Sequence, residues 1–573
     1  MTASVPSDSG VAAAQAAFCV CLFDEFVRGG MEDLVICPGS RSTPLVLAAL
    51  ANPALRVHVR LDERSAGFFA IGRALSTDLP VAVVVTSGTA AAELTASVVE
   101  SDLAGVPLVV VTADRPPELR GIGAPQTIDQ VKLYGGAVRS YEEPGPIRPD
   151  AARSWRPLAA RLLAAAIDGH GPVHLNLSLV EPLDAAPSTV PEGRAAGAPW
   201  RTRHSGSSEA ADPFAGFGGQ RGLLVAGRGA GDPGTLLALA ARHGWPLLCD
   251  PLSGARLEHP SVVTSFDALV RDDDLRAMLE PEVVVLLGAA PSSRALADAI
   301  VAWSPRVVAV SGSTSVPDPT GVVSDHVAVA PASWVRAALE LPPLGGPPAF
   351  LERWHLADAA AQRCFDERCT SQLDEPSVAR LLSRTLRGVP LVVSSSMPVR
   401  DLESFGATST SPPRALSNRG ANGIDGVVST TLGVAAGSRA VGLLGDLAFL
   451  HDAGSLADGV GEHGGSCVLV VVDNRGGGIF SFLPQRGSVP HTDFERVFAT
   501  PPSASVAAVA SGYGAEVRAV KDLESLRTSV LEGLDSDGVT VVVAEVPDRD
   551  RNVELHRELA DLAARAARAA LGA

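Results

Sequence analysis

Short runs of branched apolar residues recur along the chain. Most close on Gly, Ser, Asp or Asn and pass into a longer stretch with helical spacing. In the first third the runs are 33–37, 81–85 and 107–112. In the middle they are 222–226, 283–287 and 307–310, and in the last part 390–394, 440–444, 468–472 and 539–543. Runs that are apolar throughout, without alternation, mark strands buried on both faces, as in parallel sheets covered by helices. The pattern predicts an α/β fold of three doubly wound parallel-sheet domains. Two stretches rich in Pro and Gly, 185–220 and 341–348, separate 1–190, 210–340 and 355–573 as domains. No short-period repeat is visible. Ligands on such sheets sit beyond the carboxyl ends of the strands, so the polar residues that follow the runs are the candidates for chemistry.

Composition narrows the classes. The chain has 573 residues, 46 % of them hydrophobic and 19 % charged, enough for several packed cores. The net charge of −17 and the lack of a Lys/Arg-dense stripe exclude a nucleic-acid partner. No uncharged apolar run is long enough to span a bilayer, and the first ten residues lack a basic signal-peptide region. The expectation is a cytoplasmic protein without stable membrane insertion. The seven cysteines, an odd number with no CxxC pair, argue against zinc ligands or disulfides, and Cys19 and Cys21 in the apolar stretch 18–26 read as buried small residues.

Two strand ends carry the first chemistry. The run 440–444 leads into Gly445-Asp446-Leu447, and the run 468–472 leads into Asp473-Asn474-Arg475 and three glycines. Asp446 and Asn474 are separated by one strand–helix–strand crossover, which brings both to one edge of a parallel sheet. A carboxylate, an amide carbonyl and a backbone carbonyl form a hard oxygen set suited to Mg²⁺ that also takes phosphate ligands. The glycines after Asn474 let backbone N–H groups approach the same phosphates. As isolated residues, Asp446 and Asn474 would be ordinary helix caps.

Together the spacing and the flanking strands resemble the motif of thiamine-diphosphate enzymes. The resemblance implies a Mg²⁺ (or Mn²⁺) ion held by Asp446, Asn474 and the carbonyl of Gly476, with Gly445 beside the diphosphate. Leu447 stands where the motif usually has Gly. It also implies that Glu63, between a short strand and a helix over 65–75, faces the aminopyrimidine. There a carboxylate drives the imino form that deprotonates the thiazolium. The turn Thr86-Ser87-Gly88-Thr89 matches a segment that faces the pyrimidine, which places Gly88 and Thr89 in the cofactor site.

Arginines at strand ends mark the substrates. Ser40-Arg41 follows the first run, and Arg115 follows the third with Gln126 beyond it. Ser396 and Arg400 follow 390–394, and Arg419 opens a loop that reaches Ile424. Guanidinium forks bind carboxylates bidentately, whereas single surface ion pairs contribute little. With Gly478-Ile479-Phe480, these motifs resemble the 2-succinyl-5-enolpyruvyl-6-hydroxy-3-cyclohexene-1-carboxylate synthase family of menaquinone biosynthesis. That resemblance implies decarboxylation of 2-oxoglutarate and a Stetter-type 1,4-addition of the succinyl carbanion to isochorismate. Arg400 and Arg419 would hold the 2-oxoglutarate carboxylate. Ser40, Arg41, Arg115, Gln126 and Ser396 would hold isochorismate, Arg294 would add a basic contact from the middle domain, and Ile424 and Phe480 would line the cavity.

The same resemblance makes 1–190 the pyrimidine-binding domain and 355–573 the diphosphate and metal domain, flanking a central α/β domain. It implies a homodimer or a dimer of dimers with the site at the subunit interface. His451 and His491 read as structural hydrogen-bonding residues. Two rival readings stay open. One is another thiamine-diphosphate decarboxylase or carboligase of the acetolactate synthase type, with flavin in its middle domain. The other is a non-catalytic scaffold that retains the fold. Against flavin, Asp232 stands where the segment Gly227–Gly231 would need the last Gly of GxGxxG.

Overall fold

The computed structural model describes residues 8–202, 217–312 and 318–573, so part of the 185–220 stretch lies outside the described residues. Three six-stranded sheets succeed one another, and all their pairings are parallel. The first contains β1 (Asp33–Ile36), β2 (Arg56–Val59), β3 (Val81–Val85), β4 (Leu108–Asp114), β5 (Tyr141–Glu142) and β6 (Val173–Ser178), in the order β2-β1-β3-β4-β6-β5. The second contains β7 (Gly222–Ala226), β8 (Leu247–Cys249), β9 (Val262–Val263), β10 (Val283–Leu287), β11 (Arg306–Val310) and β12 (Asp325–Val327), in the order β12-β11-β10-β7-β8-β9. The third contains β13 (Pro390–Val393), β14 (Arg414–Leu416), β15 (Arg439–Gly445), β16 (Ser466–Asp473), β17 (Glu516–Val520) and β18 (Gly538–Glu545), in the order β14-β13-β15-β16-β18-β17. The outer sheets therefore share one topology, which their sequences do not display.

The unbroken apolar runs have the expected cause. In β3, Val81, Val83 and Val85 face one core while Ala82 and Val84 face another, and all five are buried. The first of these cores continues through the third sheet, where it takes in Leu444, Leu469 and Val471. The helices Glu63–Thr77 and Val427–Ala435 lie between the two sheets. They cross so closely that a Cβ on Gly72 would sit 2.2 Å from the Thr430 carbonyl oxygen, and one on Gly433 2.2 Å from that of Phe69. Glycine at these two positions is what lets the backbones meet.

Helix Pro348–Arg368 spans the proposed cut at 355 and packs Phe350 and Trp354 into the core of the central sheet. In helix Asp8–Arg28 the stretch Gly10–Arg28 is by length and composition apolar enough to cross a membrane, at mean hydropathy 1.5, although Asp24 and Glu25 interrupt it, so no uncharged run of that length is present there. Two thirds of that stretch is buried (67 %), and Phe18, Leu22 and Phe23 pack in one core with Trp155 and Leu162. All seven cysteines are free, and six are buried.

Candidate active site

Beyond the carboxyl ends of β13, β15 and β16 lies a cavity of about 480 Å³. Its wall includes Ser396, Arg400, Arg419, Ile424, Gly445, Asp446, Asn474, Gly476 and Phe480, nine of the positions singled out in the sequence. Asp446 opens the helix Asp446–Asp452 directly after β15 and is 1 % exposed. Its Oδ2 accepts from Gly476 N–H and its Oδ1 from Leu447 N–H, each at 2.7 Å, so the two motif strands are tied together at the carboxylate. Burial, with Asp473 nearby, pushes the Asp446 carboxyl up to about 6 against the opposing pull of Arg549.

Asn474 is oriented by a residue that no motif announced. Its Nδ2 donates to Glu375 Oε1 at 3.1 Å, which leaves the amide oxygen for a cation. Glu375 opens the helix Glu375–Thr385, and burial together with Asp401 raises its carboxyl to about 8. Gly476 has φ +125°, and a Cβ there would lie 2.2 Å from the Ala499 carbonyl oxygen, so only glycine fits. Among the described residues there is no cluster of three His, Cys, Asp or Glu. One carboxylate, one amide oxygen and one backbone carbonyl fit a Mg²⁺ or Mn²⁺ ion that completes its coordination with phosphate oxygens.

Arg400 and Arg419 stand close enough that Arg419, together with burial, holds the Arg400 guanidinium below its usual range. Neither forms an ion pair within the described residues, although Arg400 donates to the Ser396 carbonyl. Two neighbouring guanidiniums with no carboxylate at ion-pair distance are chemically suited to bind one from outside. Ser396 has φ +75°, a strained conformation for serine that re-aims the chain into the helix Met397–Phe405.

A second group gathers at the carboxyl ends of β1, β2, β3 and β4. Glu63 is the first residue of its helix, which starts two residues earlier than the sequence indicates because the Asp62 side chain caps Ser65 N–H at 2.9 Å. Burial raises the Glu63 carboxyl, with Asp62 and Glu93 adding to the effect. Arg115 donates to Ser87 Oγ, and burial together with the nearby Arg41 holds its guanidinium below the usual range. Arg41 donates to the Leu179 carbonyl at 3.0 Å and to the exposed Glu181 at 3.3 Å. The Gly88 backbone packs against that of Gln126, whose φ is +53°. Ser40, Thr89 and Gln126 are exposed.

No residue of this second group lines the 480 Å³ cavity. Arg294 does not line it either. It lies on the wall of an adjoining cleft of about 990 Å³ that shares Met397, Arg400 and Ile479 with the cavity. The Arg294 side chain is 91 % exposed, with Asp298 at 3.6 Å. The expectation for the two histidines is corrected. His451 is exposed, and His491 is 69 % exposed with Glu495 at 3.8 Å, so neither is a buried hydrogen-bonded group. In the central domain Asp232 caps Thr235 N–H at 2.8 Å, and a Cβ on Gly227 would sit 1.7 Å from the Ala289 carbonyl oxygen. That loop serves packing and capping.

Comparison with known proteins follows the same division. Residues 21–133 match the N-terminal thiamine pyrophosphate-binding domain of thiamine pyrophosphate enzymes, 195–389 their middle domain, and 403–544 their C-terminal thiamine pyrophosphate-binding domain. The 2-succinyl-5-enolpyruvyl-6-hydroxy-3-cyclohexene-1-carboxylate synthase of Thermobifida fusca is 42 % identical, over 96 % of this chain and 98 % of that protein. The enzyme of the same name from Chloroflexus aurantiacus is 38 % identical, over 92 % and 93 %. The crystal structure of benzoylformate decarboxylase from Polynucleobacter necessarius superposes with a TM-score of 0.69 at 18 % identity, over 92 % of this chain and 98 % of that one, a likeness of fold.

Proposed function

The chain belongs to the 2-succinyl-5-enolpyruvyl-6-hydroxy-3-cyclohexene-1-carboxylate synthases, a family of thiamine-diphosphate-dependent transferases of menaquinone biosynthesis, and from that premise we propose how its residues divide the work. The observation that carries the reading is the single cavity in which Asp446, Asn474 and Gly476 lie beside the unpaired Arg400 and Arg419. Asp446, Asn474 and the Gly476 carbonyl would hold the metal and, with Gly445 and Ile424, the diphosphate end of the cofactor. Glu63, with Gly88 and Thr89, would hold the pyrimidine end.

When bound, the cofactor supplies a nucleophilic carbon and an electron sink, so that 2-oxoglutarate can lose CO₂ and its remaining four carbons can pass to the ring of isochorismate. Glu63, whose carboxyl burial raises, would hold a proton at N1′ of the pyrimidine when the cofactor is bound. Arg400 and Arg419 fix the carboxylates of 2-oxoglutarate, and Phe480 walls the cavity against water. Ser40, Arg41, Arg115, Gln126 and Ser396 receive isochorismate, and Arg294 reaches the substrates from the adjoining cleft.

Within one chain the Glu63 group does not line the cavity. The working site therefore joins the first domain of one subunit to the third domain of another, in a homodimer or a dimer of dimers. The test is to incubate the protein with thiamine diphosphate, Mg²⁺ and 2-oxoglutarate, with and without isochorismate. The expected product has the mass of the named cyclohexene carboxylate. Release of CO₂ without that product in the presence of isochorismate would reject the transferase reading.

A further inference from the structure

Arg419 sits on a loop held by its own domain and by the first, whose helix the central domain braces in turn. On the side of its own domain, Ser395 Oγ donates to the Asn418 carbonyl at 3.1 Å, and Asn418 Nδ2 donates to Thr430 Oγ1 at 3.0 Å. On the other side the loop meets Glu100, in the helix Thr95–Ala104 of the first domain, 2 % exposed. Glu100 Oε1 accepts from Gly420 N–H and Oε2 from Ala421 N–H, both at 2.7 Å. The fit leaves no slack, because a Cβ on Gly420 would lie 2.6 Å from both the Ala104 nitrogen and the Glu100 carbonyl oxygen. From the central domain, Arg228 reaches the end of the same helix and donates to the Ala104 carbonyl at 2.7 Å.

We propose that Glu100 is a positioning residue for substrate binding: its carboxylate grips the two amides that follow Arg419 and so holds that guanidinium at the cavity, with Arg228 bracing the helix from the central domain. Two charge-assisted hydrogen bonds from consecutive amides define the direction in which the loop leaves Arg419. Glu100 touches neither the cavity wall nor the cofactor ligands. Its influence runs through the backbone, and a guanidinium fork tolerates little displacement before it loses a bidentate partner. The central domain thereby gains a part in catalysis that needs no ligand of its own. The proposal rests on the reading of Arg419 as a 2-oxoglutarate contact.

The test uses the full-length holoenzyme and the variants Glu100→Gln, Glu100→Asp, Gly420→Ala and Arg419→Ala. Glu100→Gln keeps the shape but can accept only one of the two amides. It should raise KM for 2-oxoglutarate roughly tenfold or more, with kcat changed far less and thiamine-diphosphate affinity unchanged. Hydrogen exchange at the Gly420 and Ala421 amides should accelerate in the same variant. Glu100→Asp should recover part of the loss. Gly420→Ala, which pushes the loop off the helix with every charge intact, should reproduce the KM effect. Retained amide protection, or lost protection with an unchanged KM, overturns the proposal. In the second case Arg419→Ala locates the error: a raised KM there faults the link from Glu100, and an unchanged KM faults the reading of Arg419 itself.

Discussion

Mixing two inactive variants should restore activity. Glu63→Gln removes the carboxylate proposed to face N1′ while leaving Asp446 intact, and general acid–base contributions of this kind are worth roughly 10²–10⁴-fold. Asp446→Ala removes the anionic metal ligand and the acceptor of the Gly476 and Leu447 amides, while leaving Glu63 intact. The cavity with Asp446 takes no wall residue from the first domain, so each working site would draw Glu63 from one subunit and Asp446 from the other. A mixed dimer then holds one site with both residues and one with neither. Random exchange in an equal mixture makes half the dimers mixed, so about a quarter of all sites should be intact. The assay is product formation after co-incubation under conditions where differently tagged subunits are shown to exchange. Recovery near a quarter of the wild-type rate is expected. Verified exchange with no more activity than the two parents together would refute the shared site.

The arginine pairs should fail differently. Arg400→Ala and Arg419→Ala should reduce 2-oxoglutarate-dependent CO₂ release by roughly 2–5 kcal/mol in kcat/KM. Arg41→Ala and Arg115→Ala should spare that release and impair product formation, as separate assays of the two steps will show. Asp452 is fully buried, accepts from Ser429 N–H at 2.7 Å and is raised by burial to about 6. Its contribution to stability is complete below pH ~4 and is lost as pH rises through 6, about 2–3 kcal/mol by pH 7. Asp452→Asn should therefore lose less Tm between pH 5 and pH 8 than the wild type, and an equal loss would contradict this account. Gly72→Ala or Gly433→Ala should lower stability by about 1–3 kcal/mol through overpacking of the helix crossing, read from the denaturation midpoint.

The central strands were legible in the sequence because full burial on both faces leaves an uninterrupted apolar run. Val81–Val85, Gly222–Ala226 and Val283–Leu287 coincide with their runs. Edge strands such as Tyr141–Glu142 and Asp325–Val327 are two or three residues long and half-exposed, so no run marks them. The juxtaposition of Asp446 and Asn474 was legible because a crossover of nearly fixed length joins them. Glu375 and Glu100 were not. Each acts on a segment far away in the chain, 99 and 320 residues distant, and a lone glutamate in a helix carries no local sign of that. Arg228 was hidden for a related reason, since its loop imitates a nucleotide-binding turn while its side chain serves an interdomain contact.

The crossing at Gly72 and Gly433 joins corresponding parts of two like domains. In each outer sheet the helix concerned follows the second strand and precedes the third, and each has a glycine on which a Cβ would lie 2.2 Å from a carbonyl oxygen of the other. The contact is thus quasi-isologous, a two-fold relation inside a single polypeptide, such as the fusion of two copies of an ancestral domain would leave. A homodimer of this chain would contain four copies of one topology. Glu63 follows the second strand of its sheet and Asp446 the third of its own, so the two like domains carry their carboxylates at different strand ends.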